Sequence, residues 1–374
     1  MVRIRAGIIG LGAMGRAHLE AIRRLGYAAV SALVVRDEDR AREAAERLNV
    51  PRFYTDYREL LRDPEVDVVH NCTPNSAHYP INRDTLKAGK HVLSEKPLAI
   101  TAEQAGELTA LAAKGRLGNA VNFVYRHFPV IRLARGMIER GELGEIYAVH
   151  GSYLQDWLLL ETDYNWRVDP EQSGPSRAVA DIGSHWCDMA MHLLGDEIIE
   201  LAADLATFVP RRVLPAGSQG RGERVPVATE DFGSVLLRFQ RGARGCFTVS
   251  QVSAGRKSEF SLEIDGSRAS LFWNQEEAHR LWIGHRNEPN GCLVEHPQLL
   301  SGEAVSRDEY PAGSRSRWPD AQKDMIDSFY RSILDGEKSR FATFADACRV
   351  VRVVEAALLS HSTRSWQRVG GPAR

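Results

Sequence analysis

The fold is decided by residues 4–15, which read IRAGIIGLGAMG. A short apolar run comes first, and the glycines of a G-x-G-x-x-G pattern follow at Gly10, Gly12 and Gly15. Such glycines permit a tight turn and a close backbone approach, and the N–H groups at the start of a following helix favour a pyrophosphate. Because residues 16–25 have helical periodicity, the strand, turn and helix together predict dinucleotide binding. The alternative is a glycine-rich turn that only packs a helix on a strand.

The pattern around this turn extends over the first third of the chain. Short apolar, β-branched runs alternate with longer stretches of helical period, which is typical of a parallel sheet with crossover helices. We therefore predict an α/β Rossmann domain with a doubly wound parallel sheet at residues 1–123, in which Thr101 and Gln104 form a capping box. The predicted strands are 4–9, 30–35, 66–71, 91–94 and 119–123, and the predicted helices are 16–25, 39–48, 77–88 and 102–114.

Residues 124–374 have a different pattern and predict a second domain with an open sheet. Strands follow one another with little helix between them, and Arg241-Gly242 and Asp265-Gly266 are placed where hairpin turns need positive φ. Residues 210–227 and 287–319 are rich in Gly, Pro, Ser and Arg and are predicted as loops. The other predicted elements are a helix at 129–140, strands at 146–154, 235–239, 245–251, 259–264 and 269–273, and helices at 320–334 and 343–361, the last with a capping box at Thr343 and Asp346.

Composition sets the broad class of the protein. The chain of 374 residues carries 48 Lys and Arg against 49 Asp and Glu, a formal net charge of -1, with 43% hydrophobic and 26% charged residues. These values are ordinary for a globular protein of about two domains and exclude disorder as the main state. The balanced charge provides no overall field for nucleic acid or an anionic membrane, so we expect neither as a partner.

Two further features bear on where the protein works. The five cysteines are scattered and form no C-x-x-C pair, so we predict reduced structural thiols and no metal. Residues 1–10 alternate charged with apolar side chains and lack the core of a secretory signal, and no run of about eighteen apolar residues occurs. We expect a cytoplasmic location.

The end of the second predicted strand bears on the type of dinucleotide. A fold that takes NAD usually carries Asp or Glu about 20 residues beyond the glycines, where it holds the ribose 2′-hydroxyl. Here that place is taken by Val35, which cannot accept a hydrogen bond. Arg36 can pair with a 2′-phosphate or lie over the adenine, and Asp37 comes one residue late, so the pattern favours NADP. Because Arg36 is also explained as a solvated surface cation, the predicted cofactor is NAD(P).

Polar residues follow the other predicted strands at their carboxyl ends. Ligands of a doubly wound sheet bind at that edge, so the loops after the strands are expected to line one crevice. Glu95 and Lys96 would elsewhere be an ordinary ion pair, but their place at a strand end, before Pro97, favours a functional role. The residues expected at this edge are Asn71, Cys72, Thr73, Pro74, Asn75 and His78, then Glu95 and Lys96, and then Asn122, Tyr125, Arg126 and His127.

A second polar cluster lies at residues 180–188, which read ADIGSHWCD. Asp181 and His185 are four residues apart and share one face of a helix, with Asp188 one turn further along. A carboxylate beside an imidazole favours the imidazolium and orients the ring, which suits a group that accepts a proton from an alcohol. One alternative is a helix start where Asp181 only caps and His185 packs in the core. The other is a metal site of His185, Asp188 and His192, which we disfavour because no further clustered ligand set is visible.

An aromatic stretch follows the predicted strand at 146–154. It contains Trp157, Tyr164, Trp166 and Arg167. Aromatic faces with polar edges suit sugar-like ligands, but such a stretch is as often buried for packing, and both interpretations stand. The remaining histidines that we singled out are assigned structural roles; they are His18, His91 and His150.

In this order and spacing, the motifs resemble the Gfo/Idh/MocA family of NAD(P)-dependent oxidoreductases, of the glucose-fructose oxidoreductase and inositol dehydrogenase type. The resemblance covers nearly the whole chain, and its motifs are GLGAMG at 10–15, TPN at 73–75 followed by His78, EKP at 95–97, and D-x-x-x-H at 181–185. It implies a Rossmann domain followed, at residues 124–374, by an α+β domain with a large open, mostly antiparallel sheet. That domain binds substrate and mediates homodimers or homotetramers, and the C-terminal helices are candidates for packing back on the Rossmann domain.

The resemblance also implies the site residues. The catalytic set is Lys96, Asp181 and His185, for a hydride transfer between a sugar or cyclitol secondary alcohol and nicotinamide. His185 would take the hydroxyl proton, Lys96 would hold the alkoxide, and Asp181 would orient His185 and contact a substrate hydroxyl. Val35 departs from the Asp of many NAD-using relatives. The expected cofactor contacts are Gly10, Gly12, Ala13, Met14, Arg36, Thr73, Asn75, His78, Glu95, Lys96 and Asn122, and the expected substrate contacts are Lys96, Tyr125, Arg126, Trp157, Trp166, Arg167, Asp181 and His185.

Three other activities stay open on the sequence alone. A redox-assisted glycosidase or lyase would return the cofactor unchanged after each turnover. A non-catalytic dinucleotide-sensing regulator is a second possibility, against which the retention of Lys96, Asp181 and His185 speaks. A reductase of another small carbonyl, such as an imine or a biliverdin-like substrate, is the third.

Overall fold

The computed structural model describes residues 3–215, 222–295, 318–337 and 340–370. The chain divides into two compact units, each with its own sheet. By residue range, the first unit is Met1–His127 with Trp318–Arg349, and the second is Phe128–Arg317 with Val350–Arg374. Most of the predicted loop at 287–319 lies outside the described residues.

Six parallel strands with crossover helices form the first unit. The strands are β1 (Ile4–Ile9), β2 (Ala28–Val34), β3 (Arg52–Tyr54), β4 (Val68–Asn71), β5 (His91–Ser94) and β6 (Asn119–Val121). The helices before residue 127 are α1 (Ala13–Arg24), α2 (Glu38–Arg47), α3 (Tyr57–Arg62), α4 (Asn75–Lys87) and α5 (Ala102–Gly115). The sheet order is β3-β2-β1-β4-β5-β6 with every neighbouring pair parallel. This doubly wound order confirms the predicted Rossmann fold.

The hydrophobic pattern located most of these elements because their strands are buried. β1 and β5 have the predicted bounds, and the other predicted strands and helices of this unit differ by a few residues at their ends. The missed strand β3 is a three-residue edge strand whose residues are all half-buried, so it lacks an apolar run. Half of the predicted capping box forms. The backbone N–H of Gln104 donates to Thr101 Oγ1 at 3.2 Å, whereas the side-chain oxygen Gln104 Oε1 has no partner among the described residues.

The second unit is built on a nine-stranded sheet. Its helices before residue 200 are α6 (Pro129–Glu139), α7 (Pro170–Ser173) and α8 (Ser184–Leu194). Its strands include β7 (Ile146–Leu154), β8 (Ile198–Ala206), a separate pair β9 (Arg211–Val213) and β10 (Arg224–Pro226), then β11 (Phe232–Phe239), β12 (Arg244–Ser250), β13 (Glu259–Gly266), β14 (Ser270–Asn274), β15 (Arg280–Gly284) and β16 (Gly291–Val294). The chain continues through α9 (Trp318–Leu334) and α10 (Phe344–Thr363) to β17 (Gln367–Arg368).

The large sheet is mixed but mostly antiparallel, as predicted. Its order is β16-β15-β14-β13-β7-β12-β11-β8-β17, and the β7–β12 pair is parallel while the other pairs are antiparallel. Gly242 has φ 103° and joins β11 to β12, as the hairpin prediction required. The hairpin predicted at Asp265-Gly266 also forms, because β13 pairs with β14 in antiparallel register. The expected positive φ is not found at Gly266, which ends β13 and lies against Leu143, where a Cβ atom would overlap the carbonyl oxygen.

Two predicted loops contain short strands. In the stretch 210–227, β9 pairs with β10 in antiparallel register. In the described part of 287–319, β16 pairs with β15. β10 and β16 are strands of three and four residues with half-buried or exposed side chains, so neither has an apolar run that the sequence could reveal.

Helix α9 belongs to the first unit and completes its core. Met325, Phe329 and Tyr330 are fully buried in one cluster with residues of β1 and β2, including Ile8 and Leu33. The predicted start of the following helix has both halves of a capping box, since the Thr343 N–H donates to Asp346 Oδ2 at 2.7 Å and the Asp346 N–H donates to Thr343 Oγ1 at 3.3 Å.

Two further observations concern the cysteines and the helices. All five cysteines are described and none forms a disulfide. Among the described residues, no helix combines the length and apolar character needed to cross a membrane.

Candidate functional site

The turn after β1 contains three glycines, and the structure gives a different explanation for the missing side chain at each of them. Gly10 has φ 90°, and a Cβ there would lie 2.7 Å from the carbonyl oxygen of Cys72. At Gly15, a Cβ would overlap the carbonyl oxygen of Gly10, so this glycine lets α1 pack against the turn. Gly12 is exposed, and no described atom lies within 4 Å of the position that a Cβ would occupy. The missing side chain of Gly12 therefore serves no contact inside the described part of the protein.

The start of α1 is open to an anion. The first N–H groups of a helix, here including those of Ala13 and Met14, have no intrahelical acceptor. The N-cap residue, Gly12, has no side chain that could accept a hydrogen bond from them. Gly12 and Ala13 are exposed and Met14 is half-buried. A helix start with free N–H groups and a bare glycine beside it fits a pyrophosphate.

The end of β2 separates Arg36 from Asp37. Arg36 is exposed. Asp37 is the N-cap of α2, where its carboxylate accepts a hydrogen bond from the Arg40 N–H at 2.9 Å. The backbone N–H of Val35 donates to Tyr54 of the neighbouring strand at 3.1 Å. The aspartate is therefore used in starting a helix, and the arginine side chain projects into solvent at the place where the ribose of a dinucleotide is held in this fold.

The loops after β4 and β5 are tied together by a buried histidine. His78 on α4 is 1% exposed, and its ring nitrogens lie 2.6 Å from the Pro97 carbonyl oxygen and 2.8 Å from that of Thr73. Burial lowers the pKa of His78, while the two carbonyls and the Glu95 charge act in the opposite direction. The structure thus gives His78 the role of fixing the loop that carries Glu95 and Lys96, and Asn75 lies at the first position of α4.

Glu95 is a buried carboxylate at the end of β5. It is 6% exposed, and its Oε1 atom accepts hydrogen bonds from Asn122 Nδ2 at 2.7 Å and from the His18 ring at 3.0 Å. Burial alone would raise the pKa of Glu95, but His18, Asn122 and the nearby charge of Lys96 lower it to about 2. Glu95 is therefore ionised at neutral pH. Lys96 is half-buried, and its backbone N–H lies 3.3 Å from Glu95 Oε2.

The residues after β6 are buried among ion pairs of the first unit. Tyr125 is 6% and Arg126 7% exposed. The Arg126 guanidinium lies 3.8 Å from Asp346, and the His127 ring lies 2.8 Å from Asp324 of α9. These contacts explain the conformation of the segment inside its own unit.

In the second unit, a π-helical turn at Val179–Gly183 precedes α8 and carries Asp181. The turn is started by Glu230, whose Oε1 accepts from the N–H groups of Arg177 at 2.9 Å and Val179 at 3.0 Å. Burial raises the pKa of Glu230, and these hydrogen bonds lower it in part. Because Glu230 starts this turn, Asp181 does not act as the cap, and π-helical turns of this kind often lie at functional sites.

Both carboxylate oxygens of Asp181 are held. Gln251 Nε2 donates to Oδ2 at 2.9 Å, and Arg167 Nε donates to Oδ1 at 3.3 Å. Gln251 is fixed in turn by Arg177, whose NH1 donates to its amide oxygen at 3.2 Å. Arg167 also lies over the ring of Trp166, with its guanidinium carbon 4.5 Å from the ring centre. The guanidinium also lies 5.9 Å from the ring centre of Trp157, so two rings of the predicted aromatic stretch lie beside the cation that binds Asp181.

His185 is 9% exposed and lies at the start of α8. Its ring centre is 6.3 Å from that of Tyr153. The next residue, Trp186, is fully buried, stacks on Phe247 at 4.7 Å and donates to the Ser261 carbonyl at 3.2 Å. These packed neighbours fix the first turn of α8. Of the aromatic stretch, Trp157 and Tyr164 pack against a small buried cluster of Leu158, Val168 and Val227.

Two histidines to which the sequence analysis assigns no catalytic role have hydrogen-bond partners in the structure. Arg135 NH1 lies 2.7 Å from His192 Nδ1 on α8. His91 Nδ1 accepts from the Gly118 N–H at 2.9 Å. Among the described residues, one group has metal-ligating atoms within 4.8 Å of one another, and it consists of His150, Glu263 and Asp265 on the large sheet. In that group, His150 Nε2 and Asp265 Oδ2 are 3.2 Å apart.

A doubly wound sheet with an open glycine turn, free helix N–H groups and a buried ionised glutamate at its carboxyl edge defines a dinucleotide-binding protein. The family models that match its sequence are described as "Oxidoreductase family, NAD-binding Rossmann fold", over residues 4–123, and "GFO/IDH/MocA C-terminal domain", over residues 131–272. The chain belongs to the GFO/IDH/MocA oxidoreductase family.

Three similar proteins match this chain over nearly their whole length. Levoglucosan dehydrogenase of Pseudarthrobacter phenanthrenivorans is 30% identical, and the match covers 98% of each chain. A solved levoglucosan dehydrogenase in complex with NADH and levoglucosan is similar with a TM-score of 0.90 and 27% identity, over 98% of this chain and 100% of that one. An inositol dehydrogenase homolog from Azotobacter vinelandii, complexed with NADH and myo-inositol, has a TM-score of 0.85 and 28% identity over 98% of each chain.

Proposed function

We propose that this protein transfers a hydride between a secondary alcohol of a cyclic sugar or cyclitol and the nicotinamide of NAD(P). The observation that carries the proposal is Asp181, a carboxylate held at both oxygens by Gln251 and Arg167 beside aromatic rings. A fixed carboxylate accepts hydrogen bonds from hydroxyl groups, and aromatic faces cover the C–H face of a sugar ring. The relatives that bind levoglucosan and myo-inositol support this class of substrate.

The dinucleotide would bind in the first unit. The free N–H groups at Ala13 and Met14 would hold the pyrophosphate beside the bare Gly12. The other proposed contacts are Gly10, Arg36, Thr73, Asn75, His78, Glu95, Lys96 and Asn122. When bound, nicotinamide supplies the acceptor or donor of the hydride.

The catalytic roles are assigned to Lys96, Asp181 and His185. In the oxidative direction, His185 would accept the hydroxyl proton and Lys96 would hold the alkoxide oxygen by charge and hydrogen bonding. Asp181 would orient His185 and receive a hydrogen bond from a substrate hydroxyl. Further substrate contacts are proposed for Tyr125, Arg126, Trp157, Trp166 and Arg167.

We also propose a homo-oligomer, a dimer or tetramer, that forms through the open face of the large sheet. The register places one row of side chains on the same face of six neighbouring strands; in order they are Leu236, Cys246, His150, Glu263, Phe272 and Trp282. Leu236 is 53% exposed, which leaves an apolar side chain on that face. A second copy of the same face would cover it.

The five unpaired cysteines support a reducing, cytoplasmic location.

Reduced-nicotinamide absorbance tests the proposal directly. NAD and NADP are offered separately with a panel of anhydrosugars, free sugars, glycosides and inositols. Sustained growth of absorbance with one cofactor and one cyclic polyol is the expected result. No growth with any member of the panel, together with demonstrated dinucleotide binding, would overturn it and leave a cofactor-recycling glycosidase or a sensor, which product analysis on glycosides separates.

A further inference from the structure

A chain of buried hydrogen bonds runs behind Glu95 through three elements of the first unit. The His18 ring on α1 contacts Glu95 Oε1 at 3.0 Å with Nε2 and His70 Nδ1 at 2.8 Å with Nδ1. His70 on β4 contacts the Tyr330 hydroxyl on α9 at 2.7 Å through Nε2. His18, His70 and Tyr330 are each 0% exposed. Three polar side chains in a core are costly to bury, so their arrangement calls for a role.

Donor and acceptor roles along this chain follow from Glu95. An ionised carboxylate only accepts hydrogen bonds, so His18 Nε2 must carry a hydrogen and donate. When His18 is neutral, Tyr330 donates to His70 and His70 donates to His18. When His18 is an imidazolium, both of these hydrogen bonds reverse their direction. In both patterns every nitrogen of the two rings has a partner and Glu95 keeps its donor.

The chain does not lead to solvent. It ends at Tyr330, which is fully buried and whose pKa burial raises well above its ordinary value. Burial also lowers the pKa of His70 well below its ordinary value. Because Tyr330 and His70 are buried and resist a change of charge, they cannot pass a proton from the substrate to water. Its effect must be on the position and charge of Glu95.

Glu95 fixes the orientation of two amides. Because it is anionic, the nitrogen of the Asn122 amide must face it, at 2.7 Å. The same nitrogen donates to Gln322 Oε1 on α9 at 3.0 Å. This leaves an acceptor, Asn122 Oδ1, and a donor, Gln322 Nε2, which have no partner among the described residues, on side chains that are 2% and 1% exposed. A primary carboxamide offers the complementary pair of one N–H donor and one carbonyl acceptor.

We propose that His18, backed by His70 and Tyr330, is a positioning residue for the cofactor. It holds Glu95 as a fixed acceptor, so that Asn122 and Gln322 select the carboxamide group of nicotinamide. The inference rests on the proposed function, because it takes the ligand of the first unit to be a nicotinamide dinucleotide.

Three probes separate this inference from the proposed function. ADP-ribose has no nicotinamide and reports on the dinucleotide site alone. NADH carries the carboxamide. The reduced 3-acetylpyridine analogue keeps the carbonyl oxygen but has a methyl group in place of the amide nitrogen. Binding constants come from isothermal titration calorimetry, so no substrate and no turnover are needed.

The wild-type protein is expected to bind NADH about tenfold more tightly than the analogue, the effect of one hydrogen bond. In the His18→Leu variant, Glu95 loses one of its two side-chain donors, so its pKa rises, and its protonated form can itself donate to Asn122 Oδ1. The amide then turns, and the ratio of the two affinities falls towards one while ADP-ribose binding is unchanged. His18→Gln keeps an N–H directed at Glu95 and is expected to restore most of the ratio.

The pH dependence gives a readout that a purely structural role would not change. In the wild type, the ratio is expected to stay constant between about pH 5 and pH 8, because the pKa of Glu95 is about 2. In His18→Leu it should vary with pH, because burial raises the pKa of a glutamate without its donor. The other titratable groups that interact with Glu95 are Cys72 after β4, His78 on α4 and Lys96, while His70 on β4 acts on it through His18.

Two tyrosines provide a matched pair in case His18→Leu fails to fold. Tyr330→Phe removes the hydroxyl at the end of the chain and should lower the ratio. Tyr27→Phe removes a hydroxyl that also contacts α9, at Asp327, but lies outside the chain, and should leave the ratio unchanged. A wild-type ratio in both Tyr330→Phe and His18→Leu, constant with pH, overturns the inference. Failure of the wild type to bind ADP-ribose overturns the proposed function itself.

Discussion

Gln251 donates a 2.9 Å hydrogen bond to Oδ2 of Asp181. Gln251 is fully buried and is itself held by the Arg177 guanidinium, so the orientation of the carboxylate is set from inside the second unit. Burial lowers the pKa of Arg177 to about 10, and the group stays charged at neutral pH. The aspartate is therefore placed before any substrate arrives.

Gln251→Met tests this placement. It keeps the length of the side chain and removes both the donor to Asp181 and the acceptor for Arg177. We expect kcat/KM to fall about tenfold or more, the effect of a lost hydrogen bond to a charged group. Gln172→Met is the control, because Gln172 makes a similar 2.8 Å hydrogen bond to Asp169 on α7. Equal losses in the two variants would contradict a special role for Gln251.

Lys96 can be tested by separating turnover from binding. Lys96→Met removes the charge and is expected to lower kcat by about two to three orders of magnitude, in the range found when a group that stabilises an oxyanion is removed. ADP-ribose affinity should not change. Lys87→Met, at the exposed end of α4, is the matched control. A normal kcat in Lys96→Met would refute the assignment.

Gly12 distinguishes a ligand contact from a folding requirement. The Gly12→Ala side chain meets no atom of the described residues within 4 Å, and the residue has φ -70°, so the variant should unfold at the wild-type temperature. Its methyl group would occupy the approach of a pyrophosphate, and we expect ADP-ribose binding to weaken about tenfold or more. Gly106→Ala is the control, since its methyl group also has no neighbour within 4 Å in the described part of the chain. Unchanged affinity in Gly12→Ala would place the pyrophosphate elsewhere.

The exposed Arg36 determines the predicted cofactor preference. If it pairs with a 2′-phosphate, Arg36→Ala should raise the KM for NADP about tenfold, because a charge-assisted contact is lost, and should leave the KM for NAD nearly unchanged. Arg40→Ala, four residues on in α2, removes a second exposed cation and serves as the control. Equal changes in the two KM values would remove the reason to favour NADP.

Glu95 should contribute a pH-dependent part of the stability. Its pKa is about 2 in the folded protein and 4.5 ordinarily, so it stabilises the fold above about pH 4.5 and the contribution is lost as the pH falls towards 2. The difference in free energy of unfolding between wild type and Glu95→Gln should therefore shrink by roughly 2 kcal/mol from pH 6 to pH 3. Urea unfolding measures it, with the exposed Glu103→Gln as control. A difference that is constant with pH would show that Glu95 is not an ionised acceptor.

Much of the first unit could be predicted because its information is local. Buried strands of a parallel sheet are mostly apolar runs, as at 4–9 and 91–94. The glycine pattern after the first strand predicts the helix that follows it. The short strand β3 was missed because an edge strand of three half-buried residues has no such run. The hairpin at Asp265-Gly266 was predicted correctly, but the reason for its glycine was not, because Gly266 is required by the close approach of Leu143 and not by a positive φ.

The sequence motifs propose which residues form the candidate site, but they do not show which side chains hold those residues by hydrogen bonds. Lys96, Asp181 and His185 follow from motifs with short spacing. Gln251 and Glu230 lie 70 and 49 residues after Asp181 in the chain, and no spacing rule connects them to it. His18 looked structural because its partners, His70 and Tyr330, become its neighbours only through the sheet and α9.

The return of α9 to the first unit determines the order in which this protein can be completed during synthesis. Translation proceeds at about 5–20 residues per second, so residues 3–127 leave the ribosome on the order of ten seconds or more before Met325, Phe329 and Tyr330 exist. Until then, the apolar side of the sheet around Ile8 lacks part of its cover. A premature stop codon between residues 127 and 318 therefore removes part of the core of the unit that begins at the amino terminus, although every residue of its sheet has been synthesised.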